Sequence, residues 1–319
     1  MSTIFGSGEF QFRCEPNWAK LPDGWDFGEV AAVAVDTQDQ VYVFSRSEHP
    51  VTVFDSNGNF LRSWGEGLFK RPHGLHIAPD NTIFCTDDGD HSVRQCTLEG
   101  KVLLTLGVPG RPAPFMSNQP FHACTHTALS PKGEIYVSDG YGNAGIHKFT
   151  PDGSLIKTWG GAGSGSGEFN LPHNICCDED GWVFVADREN HRIQVFNGDG
   201  KYETELRDLH RPSALYIPPG RCPHCYVGEC GPVFSFNRRA SGLGPRICIM
   251  NKADGKVVAR LGDRTPENFP GPFTSPHGIA VDSKGDIYVG EVSKTAWGNL
   301  FPGEEPATPR PLLQKLVKI

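Results

Sequence analysis

Three histidines in this chain follow a proline, at Pro72-His73, Pro172-His173 and Pro276-His277. Imidazole is the commonest protein ligand for transition metals, and three imidazoles with a fourth position left open make a catalytic Zn²⁺ site. Iron, cobalt or manganese accept the same three nitrogens, so the pattern points to a metal more firmly than to one element. A single Pro-His pair would be read as a habit of strand entry. Two arginines, Arg46 and Arg188, and a tyrosine, Tyr141, stand at comparable places in the pattern described below. Two guanidiniums beside a metal suit a small substrate carrying a carboxylate, which arginine can hold through paired hydrogen bonds.

For residues a hundred positions apart to meet, the chain has to return repeatedly to one place, and it does repeat. Pro172–Phe196 reads as three short strands joined by tight turns, and related stretches begin near residues 30, 72, 124, 212 and 276. Aligned on the turn before the second strand (Asp39, Asn81, Gly133, Gly181, Gly285), the first strands become VAVD, LHIA, TALS, ICCD, ALYI and IAVD. Five copies continue to a fourth strand, as in NGNFLRSWG and DGSLIKTWG. A four-stranded unit recurring at this spacing is a propeller blade, apolar on both faces and unable to bury itself alone. The expected fold is therefore all-β: a single six-bladed β-propeller over residues 1–319, with residues 1–29 as closing strand and lead-in. In the last blade LLQKLVKI supplies the third strand and FQFRCEP the fourth, which closes the ring.

In a propeller the first strand of each blade lines the axis. Eight residues before the aligned turn stand Ala31, His73, Thr125 and His173, with His277 in copy six, while Ser213 holds the place in copy five. The histidines belong to copies two, four and six, so they sit about 120° apart around a six-fold ring and converge. At the ends of the second strands come Asp87, Asp139, Asp187, Glu229 and Glu291, which read as turn caps, and Arg46 is assigned the same place in blade one. Cys222-Pro-His-Cys225 with Cys230 has the spacing of half a structural zinc site, without a second CxxC.

Composition narrows the function further. The net charge is −7 and the 30 Lys and Arg are scattered, so no basic patch for nucleic acid is expected. No run approaches the ~20 apolar residues of a membrane helix. The start MSTIFGSGEFQF lacks a basic region followed by an apolar one, and the 10 cysteines read as reduced thiols, so a cytoplasmic location is expected.

DRENHRIQVF and DGSLIKTWG resemble the NHL family of six-bladed propellers. Within it, RPHGL, LPHNI, SPHGI, VSDGYGNAGI and VADRENHRIQVF resemble the catalytic core of peptidyl-α-hydroxyglycine α-amidating lyase, from about Gly28 to the C-terminus. The resemblance implies a metal on His73, His173 and His277, Tyr141 as the base taking the substrate hydroxyl proton, and Arg46 and Arg188 on the substrate side. A nearby metal and two arginines are expected to favour the phenolate. The resemblance also implies a channel Ca²⁺ held by the carbonyls of Val33 and Leu75 and by an aspartate. Gly278 stands at the aspartate position, which leaves that ion without its anionic ligand. Gly142 and Val195 stand at two of the family's disulfide positions. The implied activity is a metal-dependent lyase that breaks the C–N bond of a carbinolamide. The alternatives are a propeller hydrolase of the lactonase or esterase kind, whose sites generally use carboxylate and Asn ligands, and a non-catalytic scaffold.

Overall fold

The computed structural model describes residues 4–263 and 271–319. Six sheets stand around one axis, five of four strands and one of five. Each begins with an inner strand: Val30–Val35, Pro72–Ile77, Cys124–Leu129, Pro172–Cys177, Pro212–Tyr216 and Pro276–Val281. Every neighbouring pair of strands within a sheet is antiparallel. The fourth strands are the exposed edges, where Leu61, Leu103, Leu155 and Val258 show apolar side chains to solvent.

The repeat was readable because one turn is chemically constrained. The aligned turn residues Asp39, Asn81, Gly133, Gly181 and Gly285 all have positive φ, between 58° and 85°. Only Gly, Asn and Asp adopt that region readily, so these residues mark the same bend in each blade.

Burial follows the seams. Six apolar clusters form, and each joins two neighbouring blades: Phe44, Val53, Leu75 and Ile83 lie between blades one and two, and Phe84, Val93, Ile135 and Val137 between two and three. The others repeat this around the ring. No blade holds a private core, so the ring is stable only when closed.

Closure joins the chain ends. In the sixth sheet Leu313–Lys318 is the third strand, and Phe10–Glu15 pairs beside it with Cys14 opposite Leu316. Ile4–Ser7 adds a fifth, outer strand that the sequence did not suggest, paired to Phe10–Glu15. A second addition is the helix Ser293–Leu300, which follows the second strand of blade six. No helix among the described residues is long and apolar enough to cross a membrane. All ten cysteines are free.

Phe12 is 1 % exposed and packs with Leu316, Ile287 and Val289 in the closing blade. Phe12→Ala should destabilise the fold by about 3–5 kcal/mol, read as a lower urea midpoint. A change within the error of the measurement would mean that the closing strand carries little of the ring's stability.

Candidate active site at the propeller hub

Each inner strand carries one extra residue relative to its partner. The register slips between Val30 and Ala32, Pro72 and Gly74, Cys124 and His126, Pro172 and Asn174, Pro212 and Ala214, and Pro276 and Gly278. The residues left unpaired are Ala31, His73, Thr125, His173, Ser213 and His277. A bulge bends the strand and re-aims its side chain, and here it turns all six toward the hub. The three imidazoles meet there, with ring centroids 4.9, 4.7 and 4.6 Å apart. One ligand nitrogen from each lies within 4.8 Å of the other two, and no other group of three or more His, Cys, Asp or Glu among the described residues is so placed.

The hydrogen bonds fix which nitrogen faces inward. Nδ1 of His73 lies 2.7 Å from the Thr125 carbonyl, Nδ1 of His173 2.6 Å from that of Ser213, and Nδ1 of His277 2.7 Å from that of Ala31. A carbonyl only accepts, so each Nδ1 carries the proton and each neutral ring keeps a lone pair on Nε2. Burial keeps the rings neutral: it pushes His277 down to about 3, with Arg46 assisting, and holds His73 and His173 well below the usual range. The Tyr141 hydroxyl lies 3.1 Å from Nε2 of both His73 and His173. Its single proton can serve only one of these two acceptors. Three neutral imidazole nitrogens with their lone pairs turned to one point are a donor set that suits a divalent cation such as Zn²⁺.

The carbonyl preceding each histidine is also held. Pro172 accepts from Thr125 Oγ1 at 2.9 Å and Pro276 from Ser213 Oγ at 2.6 Å. Blade one has Ala31 at that place and no hydroxyl. There Arg46 Nε donates to the Pro72 carbonyl at 3.3 Å instead.

Arg46 needs a correction of place. The residue paired as Asp87, Asp139, Asp187, Glu229 and Glu291 are paired is Ser45, opposite Val30. Arg46 follows it, as Arg188 follows Asp187, so the two arginines are equivalent residues of blades one and four. Arg46 is fixed by Glu29 at 2.7 Å, and Glu29 is itself bound by Thr295 of the extra helix. Arg188 is fixed by Glu189 at 2.8 Å and its guanidinium lies 5.7 Å from the Tyr141 ring centre. In blade three the equivalent residue is Gly140, where a Cβ would stand 2.2 Å from the Pro172 carbonyl oxygen. Only glycine lets the chain pass there and bring Tyr141 over the histidines.

The expectation that the arginines favour phenolate holds only in direction. Burial raises Tyr141 above its ordinary range, and Arg188, Arg71 and Arg46 only partly offset that. The five acids lie wholly buried and anchor loops: Asp87 accepts from the Lys70 and Arg71 amides, Asp187 from Asn170, and Glu291 from Thr274 and Ser275.

Val33 and Leu75 are paired inner-strand residues. At Gly278 a Cβ would stand 2.6 Å from Ala32 Cα, so the backbone of blade one leaves no space for a carboxylate. The His126 ring, which accompanies Gly74 at that level, bonds the Thr127 carbonyl through Nδ1 at 3.0 Å. The cysteines of the CPHC stretch do not gather: Cys225 is buried in its strand and Cys230 meets Ser275. Glu29, Arg71 and Asp88 were missed in the sequence. Only Arg71, directly before Pro72-His73, carried a positional signal.

The NHL repeat model matches residues 169–196 and 273–295. The probable peptidyl-alpha-hydroxyglycine alpha-amidating lyase pgal-1 of Caenorhabditis elegans is 30% identical over 300 residues, covering 84% of this chain and 81% of its own. The chain belongs to the peptidyl-alpha-hydroxyglycine alpha-amidating lyase family. The peptidylglycine alpha-amidating monooxygenase of Rattus norvegicus is 29% identical over 91% of the chain, which spans 32% of that relative's length. In fold, this family member is similar to a streptogramin B lyase structure, with a TM-score of 0.59 at 14% identity over 96% of the chain and 97% of that structure.

Because the folded rings refuse protons that an unfolded histidine accepts near pH 6.5, the unfolded chain binds more protons below that pH. Stability of the chelator-treated protein should therefore fall as pH drops through 6.5 toward 3, by up to about 1.4 kcal/mol per pH unit for each ring. His277→Gln should flatten the profile by one ring's share. Urea midpoints at pH 7.5 and 5.5 measure this, and identical pH profiles for the two proteins would contradict it.

Proposed function

We propose that this protein is a metal-dependent lyase that cleaves the C–N bond of a small carbinolamide bearing a carboxylate. The observation carrying this reading is the tyrosine hydroxyl 3.1 Å from two of three converging imidazoles. His73, His173 and His277 would hold the metal. Such a cation, when bound, supplies a Lewis acid that draws electron density from a substrate oxygen.

The residues of the chain do the rest. Arg46 and Arg188 receive the carboxylate with the N–H groups that Glu29 and Glu189 leave free, and both guanidiniums arrive already oriented. A positive charge held by the three imidazoles would add to Arg188, Arg71 and Arg46 in offsetting the burial of Tyr141, which as phenolate takes the proton of the carbinol hydroxyl. The C–O bond becomes a carbonyl, the C–N bond breaks, and the nitrogen takes that proton back from Tyr141. The products are an amide and glyoxylate, and the base returns to its starting state. Relatives named as amidating lyases support this reaction class. A scaffold without catalysis would have no use for three buried imidazoles aimed at one point.

With α-hydroxyhippurate as model substrate, the purified metallated protein should release glyoxylate and benzamide. Tyr141→Phe should retain its metal, measured by elemental analysis, and lose activity by about 10²-fold or more. Arg188→Gln should lose most of its effect through KM. Absence of glyoxylate from fully metallated protein would overturn the lyase reading.

A further inference from the structure

The residues directly after the ends of the six second strands are Arg46, Asp88, Gly140, Arg188, Cys230 and Val292. The mechanism above uses two of these and leaves Asp88 without a part. Asp88 is 2 % exposed, and its Oδ2 is bound by Arg71 Nη1. Its Oδ1 is buried and has no hydrogen-bond partner. A buried carboxylate oxygen without a donor is costly, and its persistence calls for a cause.

Three relations set Asp88 beside the site. Asp88 is the blade-two counterpart of Arg46 and Arg188. Its partner Arg71 lies 6.0 Å from the Tyr141 ring centre. Its charge acts on Tyr141, and Arg71 and Arg46 act on it. Burial pushes its carboxyl up to about 6, which leaves it mainly ionised at neutral pH and a strong acceptor.

The substrate's carboxylate belongs with the arginines, so Asp88 faces another part of the molecule. Facing the leaving nitrogen, a carboxylate would oppose the negative charge that builds there as the C–N bond breaks. The remaining part is the acyl side. Arg71, the partner of Asp88, lines a neighbouring cavity of ≈ 280 Å³ together with Glu29, Arg46, Lys70, Thr295 and the apolar Phe69.

Building on the lyase reading, we infer that Asp88 Oδ1 accepts a hydrogen bond from an N–H group on the acyl side of the substrate, so that the preferred substrates are small carbinolamides ending in a carbamoyl or similar donor. Asp88 is thus a specificity residue.

The test uses two unreactive probes, N-carbamoylglycine and N-acetylglycine, which share the carboxylate and the amide and differ in one NH₂ against one CH₃. By calorimetry, the wild-type protein should bind the carbamoyl compound about tenfold or more tightly. Asp88→Ala should abolish that preference, and Asp88→Asn, whose side-chain oxygen can still accept, should restore most of it. No preference in the wild type, including failure to bind either probe, overturns the inference, as does a preference that survives Asp88→Ala. The wild-type comparison stands alone if the alanine variant does not fold. Failure of the lyase reading appears separately, as absent glyoxylate release from α-hydroxyhippurate and its carbamoyl counterpart while the binding preference persists.

Discussion

Six polar hydrogen bonds at the hub cross the six seams between blades. His73, His173 and His277 each give an Nδ1 proton to a carbonyl of the following blade, at Thr125, Ser213 and Ala31. The other three seams are crossed by Arg46, Thr125 and Ser213, each donating to the carbonyl of a Pro that precedes a histidine. The circuit alternates imidazole with hydroxyl or guanidinium and closes on itself. Metal-binding histidines depend on such outer partners, which fix the tautomer and the ring plane. Here those partners are bulged backbone groups supplied by the ring itself, so the fold and the site share one set of contacts.

The charged groups around the hub are arranged in tied pairs. Arg46 is held by Glu29, Arg71 by Asp88, and Arg188 by Glu189, which Arg211 also holds at 2.7 Å. Against the cost of burial, Arg211 and Arg188 keep Glu189 down to about 2. Each guanidinium is thereby fixed in direction while part of its hydrogen-bonding capacity stays free for an anion. Little reorganisation is left for the moment of binding, which is the advantage of a site built on strand ends over one built on long loops.

Much of the architecture was legible because it repeats. The turn residues Asn81, Gly181 and Gly285 advertise a backbone conformation few residues adopt, and counting eight back from them locates His73, His173 and His277. The same count, six residues onward, lands on Ser45, and the charge of Arg46 drew the assignment one residue too far. What repetition cannot encode was missed. Glu29 reaches Thr295 across 266 residues, and the helix carrying Thr295 occurs, among the described residues, in one blade alone. Asp88 was overshadowed by Asp87 beside it, since only the register tells which of two adjacent acids is the paired one that caps a loop. The crowding at Gly278 comes from Ala32, a residue nearly the whole chain away.

Blade one lacks the hydroxyl that blades three and five have at the hub: Ala31 stands where they have Thr125 and Ser213. The fastening between blades one and two is consequently delegated to Arg46, a long side chain that is also paired with Glu29. An anion that settles against this guanidinium draws on the group that pins the backbone just ahead of His73. Under the proposed function, ligand capture and the seating of one imidazole are therefore joined through a single side chain, at one seam of six. The propeller, for all its internal repetition, has one place where it can feel what it holds.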